Sequence, residues 1–422
     1  MVMTYVAGGA VLLGLVAPGT AVHTFAGDEA GERFGWAVSE LSDIDRDGAR
    51  EAIVGAPRHR DAAGQVTGHA DVYSGRTGRL IYRFDGEPGD RLGYAMADAG
   101  DVDGDRVADI VVGATGEGAL ICTGIPRAGR IYVYSGRTGR RLLRVDGQAA
   151  GDQFGAAVGA IGDVNRDGRA DLVVGAPCHD GSGGVDAGAA YVVSGRDGTI
   201  LRRHDGSAAG DGLGWGAAGL GDIDGDRRGD YVVGAKDAGS GDRGLAYVYS
   251  GHSGRLRFTL AGDSASAEFG WFFVASAGDT DRDGRNDIYV GDFCAADDVG
   301  ACSAPRGQAY VFSGRTGALL HLFVGAEVND GAGPGRSAGD VNHDGYADVV
   351  VGSYTSSAGA PSGGRVTVYS GRSGRVLFDY VGRNAGETLG YDAVGLGDVN
   401  RDGRVDLLVS GATADAVYVV ST

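Results

Sequence analysis

Basic residues are scarce in this chain. Its 422 residues hold 38 Lys and Arg against 56 Asp and Glu, a net charge of −18. Binding a phosphate backbone needs a positive surface, so this balance excludes nucleic acid as a partner. Long apolar runs are missing, and with them a membrane-spanning helix. Cysteine is limited to four residues, none in the CxxC spacing of a zinc site. No stretch keeps a 3.6-residue period, and glycine at 81 positions argues against long helices. There is no GxSxG elbow and no Ser-His-Asp arrangement, and the eight His form no repeated cluster. The sequence shows no catalytic constellation.

What it has instead is an acidic loop, over and over. In "GDVNRDGRAD" (162–171), positions 1, 3 and 5 of the loop carry oxygen ligands and a glycine bends the chain at 6. A carbonyl at 7 and a carboxylate at 9 close the shell, the pattern of a loop wrapped round a hard cation. The copies are Asp43, Asp45, Asp47 and Glu51; Asp101, Asp103, Asp105 and Asp109; Asp163, Asn165, Asp167 and Asp171; Asp222, Asp224, Asp226 and Asp230; Asp279, Asp281, Asp283 and Asp287; Asp340, Asn342, Asp344 and Asp348; and Asp398, Asn400, Asp402 and Asp406. Carboxylates this close repel unless a cation offsets them, and oxygen ligands at this density favour Ca²⁺ over Mg²⁺. Of these side chains 25 are carboxylates, and seven Ca²⁺ would bring the net charge from −18 to −4. Arg106 and Arg227 stand where the bend wants glycine. Loops two and four are therefore expected to bind more weakly than loops three, five, six and seven, which keep Gly168, Gly284, Gly345 and Gly403.

The loops recur at steps of 58, 62, 59, 57, 61 and 58 residues, and a fixed period decides architecture before anything else does. Each unit reads as a strand of small residues, the loop, a β-branched strand such as "ADLVVGAP", and a two-strand hairpin such as "AYVVSGRDGTILRRHDG". Seven four-stranded units predict an all-β fold, a seven-bladed β-propeller. The last unit stops at "VYVVST" (417–422), one strand short, and "AVHTFAG" (21–27) reads as that strand. The propeller thus spans 21–422 and an N-terminal strand closes the ring. The preceding segment, 1–20, reads either as signal-like, though no Lys or Arg precedes its apolar run, or as an extra strand, since "AVLLGLV" aligns with "LAYVYSG" (245–251).

The pairing of "FG", the Dx[DN]xDGxxD loop and "GAP" resembles the FG-GAP repeat of integrin alpha-subunit head propellers and of prokaryotic extracellular proteins. The resemblance covers about residues 20–422. It implies structural calcium in loops on one face, a secreted or cell-surface address, and a role in adhesion or recognition of a protein or glycan. "FG" stands at 34–35, 154–155 and 269–270, becomes "LG" at 92–93, 213–214 and 389–390, and is "AG" at 332–333. "GAP" is intact only at 55–57 and 175–177, and blade six, with Pro334 in its inner strand, is the least regular.

Trp36, Tyr94, Trp215, Trp271 and Tyr391 each follow an FG or LG pair, while blades three and six carry Ala156 and Pro334 there. This position opens the innermost strand, so five aromatic rings are expected round the central channel, on the face opposite the acidic loops. The resemblance implies an aromatic cup for a cationic side chain, and ring faces attract Arg or Lys and stack on sugars. The plainer reading is that the rings plug the channel. The longest insertions, 116–130, 178–188 and 292–307, join second to third strands and would wall the cup. Cys122 and Cys178 fall in equivalent loops of neighbouring blades and Cys294 and Cys302 in one loop, so either pair is a candidate disulfide or a pair of free thiols. "RGD" (228–230) looks like an adhesion tripeptide, but Asp230 is a loop ligand position. An extracellular calcium-binding recognition module is the leading reading. A propeller-type polysaccharide lyase or hydrolase is the alternative.

Overall fold

Small residues fill the innermost strands, such as Ala157–Gly162, because strands converging on one axis leave no room for large side chains. The β-branched strands that follow the acidic loops are buried at all six positions in all seven units. A strand covered on both faces reads as a continuous apolar run, which is how these seven appear in the sequence. The outermost strands, such as Leu319–Val324, face solvent at half their positions. The computed structural model describes residues 21–116, 122, 126–263, 268–293 and 306–422, so the segment 1–20 lies outside it. It forms seven four-stranded antiparallel sheets arranged as a seven-bladed β-propeller.

Six blades are made of consecutive strands. The seventh takes Ala393–Gly397, Asp406–Gly411 and Ala416–Ser421 from the end of the chain and Ala21–Ala26 from its start. Phe25 pairs with Val417 across this closing ladder and stacks on Tyr73 of blade one at 4.1 Å.

The core is not one mass but seven layers, each formed by facing residues of two neighbouring blades. The FG and GAP motifs meet in these layers. A Cβ on Gly55 would lie 2.1 Å from the Gly93 carbonyl of the next blade, and the same glycine-on-glycine approach recurs from Gly113 through Gly352. At these six contacts the blades touch backbone to backbone, and a Cβ would clash with the neighbouring carbonyl. At the seam between blades seven and one, Ser410 takes the place of that glycine, and its Cβ would sit 3.1 Å from a Cβ on Gly35.

Cys122 and Cys178 form a disulfide with a Cα–Cα distance of 5.2 Å, tying blade two to blade three. Cys294 and Cys302 lie outside the described residues.

Candidate metal loops and channel mouth

All seven acidic loops fold alike, because their carboxylates first satisfy the loop's own backbone. The position-1 Asp accepts the N–H of residue 6 in every loop, as in Gly168 to Asp163 at 2.9 Å. The position-3 oxygen accepts the N–H of residue 5. The closing carboxylate accepts the N–H of residue 2. These bonds bring positions 1, 3 and 9 together. Oxygens of Asp43, Asp45 and Glu51 lie within 4.8 Å of one another, as do those of Asp101, Asp103 and Asp109.

Position 5 is less committed to the cluster. Asp47 pairs with Arg76 at 3.3 Å and Asp105 with Arg137 at 2.6 Å, both from the hairpin turn of the same blade. Asp402 accepts the Ser421 hydroxyl at 2.9 Å. In loop four Asp224 and Asp222 are held by Arg257 and Arg285.

The closing carboxylates Glu51, Asp109, Asp171, Asp230, Asp287, Asp348 and Asp406 are fully buried. Burial pushes Asp109, Asp171, Asp230, Asp287 and Asp406 up to about 6 and Glu51 up to about 8, and raises Asp348 too. Oε2 of Glu51 has no hydrogen-bond partner. A buried, acceptor-only oxygen beside two further carboxylates is the donor set a hard cation takes. The residues fit calcium.

The structure removes the strain argument for ranking the loops. Each loop has two left-handed positions, 4 and 6, and each fills one of them with glycine and the other with a side chain. Loops two and four put glycine at position 4 (Gly104 and Gly225) and arginine at 6 (Arg106, φ 66°; Arg227, φ 67°). The other five reverse this, with Arg46, Arg166, Arg282, His343 and Arg401 at position 4, all at φ between 58° and 64°. The strain is shared equally.

At the other end of the channel, aromatic rings close over a cavity of about 300 Å³. The first strand of a blade runs toward its acidic loop and the second returns, so second-to-third-strand loops emerge at this end, as expected. Trp36 lies 5.5 Å from Tyr94 and 5.4 Å from Tyr391 between ring centroids. Phe272 reaches across from blade five to 5.5 Å from Trp215 and 6.3 Å from Trp36 and Tyr94. Tyr94 and Trp215 are each only 3% exposed, while Trp36, Phe272 and Tyr391 are half-buried. Trp271 is not at the channel wall. It stacks between Phe272 and Phe293 at 4.9 and 5.4 Å, under the Lys236 ammonium at 5.0 Å. Blade five carries one more residue between FG and its loop than most blades, so Phe272, not Trp271, stands seven residues before the first Asp, in line with Trp36 and Tyr94. Counting back from the loop rather than forward from FG finds it. Ala156 and Pro334 also line the cavity, and deeper in the channel Arg336 is ion-paired with Asp392 beside Glu40.

Three arginines stand beside these rings. Arg33 and Arg91 precede the FG and LG pairs of blades one and two, both with positive φ, and the Arg91 guanidinium lies 5.3 Å from the Tyr94 centroid. Arg58 donates its backbone N–H to the Glu32 carbonyl at 3.0 Å, next to Arg33. Partial burial, then repulsion from Arg33 and Arg91, draws the Arg58 guanidinium below its usual value. Of the walls, most of 292–307 and part of 116–130 lie outside the described residues. The RGD tripeptide is not displayed, since Arg228 is buried with its guanidinium on the Val164 carbonyl and Asp230 is fully buried.

The FG-GAP repeat pattern matches residues 97–134, 154–193 and 337–369, in blades two, three and six. Integrin alpha-PS2 of Drosophila melanogaster is 33% identical over 170 residues, which is 38% of this chain and 12% of that protein. Integrin alpha-V of Gallus gallus is 31% identical over 220 residues, 48% of this chain and 20% of the relative. Integrin alpha-X of Homo sapiens is 31% identical over 164 residues, covering 36% and 13%. The matches thus span a fifth or less of these relatives. With seven blades, glycine-on-glycine contacts between FG and GAP, and these matches together, the chain is an integrin-alpha-like propeller built of FG-GAP repeats.

Proposed function

We propose that this propeller is an extracellular recognition module, held rigid by structural calcium, that binds a protein ligand at the aromatic mouth. The integrin relatives support adhesion or recognition as the class of role. Ca²⁺ would be held by the position-1, position-3 and closing residues of each loop, where it supplies charge neutralisation. Among the described residues no helix is long and apolar enough to cross a membrane.

One observation carries the reading of the mouth: half-buried Trp36, Phe272 and Tyr391 lie beside Arg33 and Arg58, with Arg91, itself buried, against Tyr94. Among the described residues, neither Arg33 nor Arg58 has a carboxylate in ion-pair range. The resemblance implies a cationic guest, but this mouth carries its own cations and suits an acidic one. Guanidinium forks bind carboxylates in two-point contacts, and neighbouring rings supply apolar area. A long polyanion is disfavoured, because the rest of the molecule is acidic and would repel it. A short acidic segment of a protein is not.

The test is binding to arrays of acidic and basic peptides and of glycans, in calcium. Acidic peptides should bind, and Arg58→Glu or Trp36→Ala should weaken binding at least about tenfold without changing the melting curve. Selective binding of basic peptides or neutral glycans, unaffected by Arg58→Glu, would refute the assignment.

A further inference from the structure

Blade one carries a second cluster that neither the acidic loops nor the mouth explains. His69 opens the third strand His69–Ser74 and is 0% exposed, yet neither ring nitrogen has a hydrogen-bond partner. Its nearest carboxylate, Asp71, is 3.8 Å away, beyond hydrogen-bond range. A neutral imidazole buried there holds one orphaned donor and one orphaned acceptor. Leaving such groups unpaired in a core is costly, and something is expected to take the lone pair.

The neighbours indicate what. The His59 ring meets the His69 ring edge-on at 4.6 Å between centroids. Ligand atoms of Asp28, His59 and His69 all lie within 4.8 Å of one another. Nδ1 of His59 bonds the Glu32 carboxylate at 2.7 Å, and that side chain is fully buried. A carboxylate on one imidazole nitrogen fixes the tautomer and turns the other nitrogen outward as a ligand, the usual outer shell of a metal-bound histidine. Charge argues the same way. Asp28, Glu29, Glu32 and Asp71 gather here, with Arg83 ion-paired to Asp28 and Asp71. One cation against four carboxylates leaves an excess that a divalent ion would offset. Arg83 bonds Oδ2 of Asp28, which leaves Oδ1 for a metal.

We propose that Asp28, His59 and His69 form a transition-metal site, of the two-imidazole, one-carboxylate chemistry that suits Zn²⁺, with Glu32 as the positioning residue. The donor set differs in kind from the seven all-oxygen loops, so the two classes of site sort different metals. Three protein ligands leave a fourth position open, as in zinc sites that take a water or an outside ligand. The site also pins the segment that follows the closing strand Ala21–Ala26 to blade one, since Asp28 lies just beyond that strand.

The experiment uses the whole chain, stripped of metal and returned to millimolar calcium so that the acidic loops are filled. Cobalt is titrated as a spectroscopic probe, and bound zinc is counted by elemental analysis. One zinc per chain, and a tetrahedral or five-coordinate cobalt spectrum that zinc abolishes, is the expected result. His59 is partly exposed, so His59→Ala should fold, and it should weaken uptake by more than about 100-fold, with Glu32→Gln costing about 10–100-fold. His69→Ala is read only after circular dichroism shows a folded sheet. If calcium-loaded protein takes up no zinc or cobalt, or if His59→Ala takes it up unchanged, the proposal is overturned and a buried water satisfies His69 instead.

Discussion

Replacing Glu51 by Gln should stabilise the metal-free protein and weaken the calcium-bound one. The Glu51 carboxyl titrates near 4.5 in an unfolded chain and at about 8 in the folded loop, because burial disfavours its charge. Between those values the unfolded state gives up its proton first, so stability falls as pH rises from about 4.5 to about 8. At pH 7 the penalty is roughly 3 kcal/mol as a ceiling, at about 1.36 kcal/mol per unit, and loop relaxation reduces it to about 1–2 kcal/mol. Gln keeps an oxygen for the Ile44 N–H, now bonded at 2.6 Å, and sets an amide where Oε2 has no partner. With calcium present the sign reverses, because the charged ligand is lost. The assay is thermal melting of both proteins at pH 7, in EDTA and in millimolar calcium. The variant should melt higher in EDTA and lower in calcium. An equal loss in both conditions would refute the reasoning, leaving Glu51 as only a hydrogen-bond acceptor.

Further outcomes follow from the same geometry. EDTA should lower the melting temperature and calcium restore it better than magnesium, with about 2.7 kcal/mol gained per site at a hundredfold excess over Kd; a melt indifferent to EDTA argues against metal. Arg106→Gly and Arg166→Gly should stabilise their loops alike, by about 1 kcal/mol each, since both side chains sit at positive φ; a gain for Arg106 alone would restore the unequal ranking. Cys178→Ser should cost up to about 4 kcal/mol, because the disulfide closes a loop with a sequence separation of 56, measured by denaturant melts with and without reductant. Trp215→Ala, at 3% exposure, should cost about 3–5 kcal/mol of stability by leaving a cavity, whereas Trp36→Ala should cost less and register in binding.

The blade count, the acidic loops and the closing strand were legible because each is written seven times or completes a count of seven. A signal repeated at fixed spacing survives the noise of any one copy. The mouth was legible only in part. Trp271 lies outside the wall because blade five has one extra residue between FG and the loop, and it is taken up in a bend before the strand Val274–Gly278, where Phe272 turns left-handed at φ 56° and takes the wall position. The second left-handed position of the loops was hidden because Arg46 and Arg166 tolerate a conformation that side chains rarely adopt. Asp28, His59 and His69 gave no motif at all. They come from the segment after the closing strand, a connecting loop and a strand end, and only ring closure makes them neighbours.

That closure also orders events in time. Residues 21–26 pair with 416–421, which leave the ribosome about 390 residues later. At roughly 5–20 residues per second, the first strand waits on the order of 20–80 s for its partner. Meanwhile Phe34, Val38 and Val54 lack the blade-seven side chains they pack on in the finished ring. An exposed apolar face beside an unpaired edge accepts the matching strand of any copy, including the neighbour on the same polysome. Slower initiation spaces nascent chains apart, so it should raise the yield of monomer over strand-exchanged oligomer, and the exchanged species should carry its join at the seam between blades seven and one.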